Sequence, residues 1–107
     1  MTDCIFCKIA HGDIPSSKLY EDDDVLAFHD IHPKAPVHFL VIPKRHIDSL
    51  FVVDDSDAPL LGKLMVTASK LAREQGLSEG YKTIVHTGEA GGQEVFHLHV
   101  HVLGEAA

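Results

Sequence analysis

"HLHVHVLG", residues 97–104, places three histidines at alternate positions with apolar residues between them. Successive side chains of a β-strand point to opposite faces, whereas a helix would scatter these histidines around its axis. The run therefore predicts a strand, which the pattern extends to residues 95–103. We expect Leu98, Val100 and Val102 to be buried on one face and the three imidazoles to lie together on the other.

Length, charge and hydropathy exclude several classes of protein. The 107 residues predict a single domain, 1–107, with a core of its own. A formal net charge of -7 makes nucleic acid a poor partner, because such binding depends on neutralising phosphates. No apolar run approaches the ~20 residues of a membrane span. No signal peptide pattern opens the chain, so we expect a cytoplasmic protein that does not bind membranes.

Periodicity elsewhere predicts an α+β fold. Apolar residues recur at helical spacing from Pro59 to about Gln75, and a short helical turn precedes Gly12. Alternating or continuous apolar runs predict the other strands. Together they favour a five-stranded antiparallel sheet with one long and one short helix. The predicted strands are Lys18–Glu21, Val25–His29, His38–Ile42, Tyr81–His86 and 95–103.

Two groups of residues are candidates for chemistry. Same-face histidines on one strand can share a metal, or one can attack a substrate while the others orient it. Cys4 and Cys7 form a C-x-x-C pair that lacks two ligands of a structural zinc site, and His46 and His97 are available to complete it. From spacing alone, two small buried hydrophobic residues are an equally good interpretation of the cysteines.

Other polar residues carry weaker signals. Asp30 is a candidate for hydrogen bonding to ribose hydroxyls, although a turn or capping role fits its position equally well. Gln93 follows a glycine-rich stretch that favours a hairpin loop over a phosphate cradle, and it is a candidate donor to an oxyanion. The remaining histidines form no pattern and are expected at the surface or in packing: His11, His29, His32 and His38.

His-Leu-His-Val-His-Val-Leu, residues 97–103, is the signature of the histidine triad family, and the chain resembles its branch of small nucleotide-binding phosphoramidases. The likeness covers almost the whole chain. It also includes "CIFCKI", "EDDDVLAFHDIHPKAPVHFLVIPKRHI", "LLGKLM" and "GGQEVFHLHVHVLG". The resemblance implies a homodimer whose two sheets join into one, with a purine nucleotide pocket in each subunit for AMP, GMP or an adenosine phosphoramidate.

The resemblance also implies a role for individual residues. His99 would attack the α-phosphorus to give a nucleotidyl-histidine. His97 would orient it, His101 and His46 would contact the phosphate, and Gln93 would contact the leaving atom. Nucleotide-binding positions carried over from the family are Ile5, Phe6, Phe28, Asp30, Ile31, His86, Gln93, His99 and His101.

Some members of the branch hold a structural zinc, and the matching ligands here are Cys4, Cys7, His46 and His97. Bound zinc would move His46 and His97 from the phosphate side to the metal, and the chemistry itself would need no cofactor. His86 stands where relatives commonly have asparagine. Glu94 replaces the serine of animal members and is typical of bacterial ones.

Other functions use the same residues. Attack at the α-phosphorus is shared by dinucleoside polyphosphate hydrolases and nucleotidyl transferases of the family. A nucleotide-binding scaffold without turnover would need the pocket alone. A zinc hydrolase in which His97, His99 and His101 ligate a catalytic metal is chemically sound, but it does not account for the resemblance.

Overall fold

The computed structural model describes residues 4–107, so residues 1–3 of the predicted domain lie outside it. Two α-helices and five β-strands make up the regular structure, with short 3-10 turns between some of them. In chain order they are α1 (Ile5–Ala10), β1 (Lys18–Glu21), β2 (Val25–His29), β3 (Val37–Pro43), α2 (Ala58–Glu74), β4 (Lys82–Ile84) and β5 (Val100–Gly104).

The strands form one antiparallel sheet in the order β1-β2-β3-β5-β4. β3 lies at the centre, where Leu40 is paired with His101 and Val41 with Val100. The α+β prediction of a five-stranded antiparallel sheet with one long and one short helix is confirmed. Because β4 is an edge strand, one of its sides pairs with β5 and the other has no partner strand within residues 4–107.

Side chains of β3 alternate between two separate cores. Phe39 and Val41 are buried against α2, with apolar side chains of β2 and β5. Leu40 and Ile42 face the opposite way and pack with α1, including Phe6. The alternation follows from the two-residue period of a strand and leaves the sheet covered by one helix on each face. His38, Leu40 and His101 thereby share the face that carries α1.

Helix α2 forms where apolar periodicity and its flanking residues agree. Pro59 occupies the first turn, where its missing N–H costs no hydrogen bond, and buried Leu64, Ala68 and Leu71 form one stripe. Gly76 follows the helix with a φ of 85°, a conformation that glycine adopts without strain. The predicted limits were correct to within one residue at each end. Within residues 4–107, neither helix combines the length and apolarity that a bilayer crossing requires.

Two strands are shorter than predicted. β5 begins at Val100, and residues 95–99 form no ladder with β3. The preceding segment is held by other hydrogen bonds. Leu98 N–H donates to Ile47 O at 2.6 Å, and Pro43 O lies 2.8 Å from His97 Nε2. Alternation nonetheless continues through residues 97–99, so Leu98 is buried in the core against α2 as expected. β4 spans only 82–84 of the predicted 81–86.

Candidate active site and metal centre

A cavity of about 600 Å³ lies on the α1 face of the sheet. Its apolar wall includes side chains of α1, β2, β3 and β5, and its polar wall includes several imidazoles with Asp30, Lys34 and Glu94. Predicted nucleotide-binding residues that line it are Ile5, Phe6, Phe28, Asp30, Ile31, His86, His99 and His101. Gln93, His46 and His97 do not line the cavity. His46 and His97 lie instead with Cys4 and Cys7 in a separate cluster.

His99 is held by a main-chain contact. Its Nδ1 lies 2.6 Å from the carbonyl oxygen of His97. A carbonyl only accepts, so Nδ1 carries the proton and donates, which leaves the lone pair of the neutral ring on Nε2. The ring packs edge-on against Phe6, with centroids 5.1 Å apart. His99 therefore offers one defined nitrogen as a nucleophile, and the carbonyl of His97, not its imidazole, orients the ring.

His38 and His101 form the second polar element of the cavity. Lys34 N–H donates to His38 Nδ1 at 3.0 Å, so the proton of neutral His38 lies on Nε2. That Nε2–H faces His101 Nδ1 at 3.0 Å and Asp30 Oδ2 at 3.4 Å. His101 accepts this hydrogen bond on Nδ1, and its own proton is then on Nε2. The arrangement fixes His101 as a hydrogen-bond donor at Nε2.

Burial keeps these imidazoles neutral. Burial, together with the smaller effects of the neighbouring His99 and His38, lowers the pKa of His101 to about 4. Burial also lowers the pKa values of His99 and His38 from the ordinary value. Near neutral pH, His99 thus retains its lone pair, and His101 donates a hydrogen bond without carrying a charge.

A separate cluster lies beside the cavity, where the ligand atoms of Cys4, Cys7, His46 and His97 all lie within 4.8 Å of one another. His97 Nδ1 is 3.2 Å from the Cys4 sulfur and 3.5 Å from the Cys7 sulfur. His46 Nδ1 is 3.2 Å from the Cys7 sulfur. The structure thus brings together the four residues for which the family resemblance implies a zinc site.

Hydrogen bonds on the outer ring nitrogens prepare both histidines as ligands. His97 Nε2 donates to Pro43 O at 2.8 Å, and His46 Nε2 donates to Asp48 Oδ1 at 2.7 Å. Each neutral ring therefore presents the Nδ1 lone pair to the sulfurs. Burial raises the pKa of Cys7 to about 11, so a cation is required for this thiol to ionise near neutral pH. Two thiols and two such imidazoles form a Cys₂His₂ set, which suits zinc.

Asp30, His38 and His101 also bring three ligand atoms within 4.8 Å, but their hydrogen bonds oppose metal binding. His38 Nδ1 accepts from Lys34 N–H, so a metal on Nε2 would require the ring to lose both protons. The three histidines of the 97–101 run do not converge either, since His97 faces the cysteines. This geometry disfavours the zinc hydrolase with three histidine ligands.

Gln93 is buried and fully engaged away from the cavity. Its Oε1 accepts from Gly88 N–H at 2.8 Å, and its Nε2 donates to Asp48 O at 2.7 Å and to Val95 O at 3.0 Å. These bonds fasten the 88–95 loop to the segment after β3. The expected leaving-group contact is not made by the Gln93 side chain in this conformation, and Glu94 lines the cavity at this point instead.

Two contributing residues were missed from the sequence. His38 was assigned to the surface or to packing, yet it is buried and bonded to His101. The available signal was its position two residues before Leu40 on the central strand, which places it on the same face as the cavity. Asp48 was not singled out, because its role depends on contacts with His46 and Gln93 that are distant in sequence.

Comparison with known proteins places this geometry in a family. A sequence profile described as "HIT domain" matches residues 11–107. Protein HitA of Neisseria gonorrhoeae is 51% identical over 104 residues, which cover 97% of each chain. A HIT family hydrolase from Legionella pneumophila superposes with a TM-score of 0.95 at 46% identity, over 98% of this chain and 95% of that one. A histidine triad nucleotide-binding protein from Candida albicans superposes with a TM-score of 0.87 at 35% identity, over 98% of this chain and 76% of that one.

Replacing Gln93 with leucine tests whether this residue is a structural tie. Gln93→Leu removes three partly buried hydrogen bonds and leaves their main-chain partners without a protein partner, so we expect the free energy of unfolding to fall by about 2 to 4 kcal/mol. Urea denaturation measures this change, and the exposed neighbour Glu94→Gln serves as a control with an expected change within about 0.5 kcal/mol. Wild-type stability of Gln93→Leu would refute the structural role.

Proposed function

The chain belongs to the HIT domain family, and from this premise we propose that it is a nucleoside phosphoramidase, which hydrolyses the P–N bond of adenosine or guanosine 5′-phosphoramidates. The observation that carries the proposal is the 2.6 Å contact between His99 Nδ1 and His97 O. It leaves a lone pair on Nε2 of a ring that lines a nucleotide-sized cavity. A neutral imidazole with one free nitrogen is the nucleophile that attack at phosphorus requires.

In the first step, His99 Nε2 attacks the α-phosphorus and the P–N bond breaks. The departing nitrogen takes a proton from solvent in the open cavity and leaves as an amine. The phosphorylated ring carries a positive charge, which the carbonyl of His97 stabilises through the Nδ1–H bond. His101 Nε2–H, kept in that tautomer by His38, donates to a phosphoryl oxygen. In the second step, water adds to phosphorus and releases a proton to solvent, the P–Nε2 bond breaks with its electron pair returning to the neutral ring, and the nucleoside monophosphate departs.

The nucleoside would lie between the apolar wall and Asp30. Ile5 is 46% exposed and Ile31 is 83% exposed although both line the cavity, which is the character of an open slot for a flat purine. Phe6 and Phe28 form its floor, with ring centroids 5.5 Å apart. One oxygen of Asp30 accepts from His32 N–H, and the carboxylate retains lone pairs for ribose hydroxyls.

Replacing His99 tests the covalent route. His99→Ala removes the nucleophile and should lower kcat on an adenosine phosphoramidate by about 10³-fold or more. AMP binding should persist, because the purine and ribose contacts come from other segments. Steady-state kinetics and calorimetry measure the two quantities, with exposed His11→Ala as the matched control.

Single-turnover quenching without acid, followed by mass spectrometry of the peptide Val95–Gly104, should detect nucleotide mass on His99. Absence of the adduct together with near-normal turnover by His99→Ala would contradict the mechanism. AMP binding without turnover of any substrate would favour a nucleotide-binding scaffold. A panel with adenylated lysine and a dinucleoside polyphosphate would show whether P–N or P–O substrates are preferred in kcat/KM.

We also propose that Cys4, Cys7, His46 and His97 hold a structural zinc. The donor set, its buried position and the outer hydrogen bonds of both histidines support this assignment. The metal would fix the segment that carries His99, because His97 supplies a ligand through its side chain and orients His99 through its carbonyl. Both thiols are free, as expected in the reducing cytoplasm that we propose as the compartment.

Elemental analysis of protein purified without added metal should find about one zinc per chain. Cys4→Ser should lower both the zinc content and the melting temperature, and it should affect AMP affinity of the remaining folded protein much less. His101→Asn serves as the matched control, since it removes a cavity imidazole and should retain the metal. Metal-free wild-type protein, or zinc lost from His101→Asn and kept by Cys4→Ser, would refute the assignment.

The proposed assembly is a homodimer in which β4 edges pair and extend the sheet. β4 is an edge strand, and Tyr81 beside it is 40% exposed. On α2, Met65 and Val66 expose about half of their apolar side chains. Unpaired strand edges and exposed apolar side chains are favourable contact surfaces for a second copy.

Sedimentation at micromolar concentration should give twice the chain mass of 11.7 kDa. Met65→Glu places a charge in the proposed interface and should shift the equilibrium to monomer. Lys8→Glu, an exposed charge change on α1, should leave the dimer intact. A compact wild-type monomer, or dissociation caused by Lys8→Glu alone, would contradict this assembly.

A further inference from the structure

His86 is a cavity imidazole that the mechanism above does not use. It follows β4, is half-buried and lines the cavity. Its ring lies 5.5 Å from that of His101, which in turn lies 4.9 Å from that of His99. The three rings thus form a continuous row along the wall of one cavity.

The glycine-rich loop holds the orientation of His86. Nδ1 lies 2.9 Å from Gly91 O, and a β-carbon at Gly92 would lie only 3.2 Å from the same nitrogen. Gly92 also has a φ of 91°, which disfavours any other residue. The loop therefore closes directly on the ring and fixes which nitrogen faces the carbonyl.

The chemistry of this contact depends on one proton. Gly91 O only accepts, so Nδ1 carries a proton in both charge states of His86. When the ring is neutral, Nε2 holds a lone pair and cannot donate to a phosphate oxygen. When the ring is protonated, Nε2–H becomes a charged donor, and such hydrogen bonds are about twice as strong as neutral ones.

The other imidazoles beside the phosphate do not supply this charge. Burial lowers the pKa values of His99, His101 and His38. The charged side chains of the cavity wall are the carboxylates of Asp30 and Glu94 and the ammonium of Lys34, which lies between β2 and β3. His99, His101 and His38 therefore offer the phosphate neutral contacts.

We propose that His86 is a protonation-dependent contact for the phosphate of the bound nucleotide. The proposal rests on the proposed function, since it takes the cavity to be the nucleotide site. Bound phosphate favours the protonated ring, so the contact contributes to affinity when the ring carries both protons and is lost when Nε2 has none. His86 then makes the occupancy of the site dependent on pH.

The test compares affinity at about pH 5.5 and about pH 8, on either side of the range in which histidines titrate. The ligand is the methyl diester of AMP, because its single phosphate charge does not change between these values. Adenosine is the uncharged reference. Two variants separate the functions of the ring nitrogens. His86→Asn replaces Nδ1 and keeps a donor for Gly91 O, whereas His86→Gln extends a permanent neutral donor toward the position of Nε2.

Wild-type protein should bind the diester about tenfold more tightly at the lower pH than His86→Asn does, with nearly equal affinities at the higher pH. His86→Gln should show less pH dependence than wild type and should exceed it at the higher pH. His11→Asn, an exposed control outside the cavity, should keep the wild-type profile, and adenosine affinity should be similar in all four proteins.

The same pH profile in wild type and His86→Asn, with the diester bound, would overturn the role of His86 and leave the proposed function intact. Failure of the wild-type protein to bind the diester, AMP and adenosine would overturn the nucleotide site itself. Loss of pH dependence in His11→Asn as well would also contradict the assignment to His86.

Discussion

The two-residue alternation of residues 97–102 is the constraint on which both sites depend. Leu98, Val100 and Val102 are buried in the core against α2, which fixes the face on which the intervening histidines lie. A shift of one residue would place imidazoles in the core and apolar side chains in the cavity. The energy of burying three apolar side chains therefore determines the position of the chemistry, even though only part of the segment is paired in the sheet.

His97 connects the cluster of Cys4, Cys7, His46 and His97 with the cavity through two different groups. Its imidazole faces Cys4 and Cys7, while its carbonyl oxygen accepts from His99 Nδ1. Asp48 forms a second connection, because its carboxylate holds His46 and its carbonyl accepts from Gln93. This cluster therefore helps to position both His99 and the 88–95 loop, although neither belongs to it.

Sequence patterns predicted features that depend on local periodicity. α2 follows from its apolar stripe, and the alternating histidines follow from strand geometry, with limits that were accurate for β1 and β2. Predictions were less accurate where tertiary contacts intervene. Residues 95–99 do not extend the ladder with β3, because Leu98 N–H donates to Ile47 O beyond the strand and Pro43 O accepts from the His97 side chain. The bond between His38 and His101 joins residues 63 positions apart, and no local pattern indicates it.

Main-chain and side-chain hydrogen bonds fix the tautomers of the cavity imidazoles in the free protein. NMR of protein with ¹⁵N-labelled imidazoles measures this directly, because protonated and unprotonated ring nitrogens have well-separated chemical shifts. Near neutral pH, the free protein should show His99 as a neutral ring protonated at Nδ1, with an unprotonated Nε2. A proton on Nε2 of neutral His99, or a doubly protonated ring, would contradict the account.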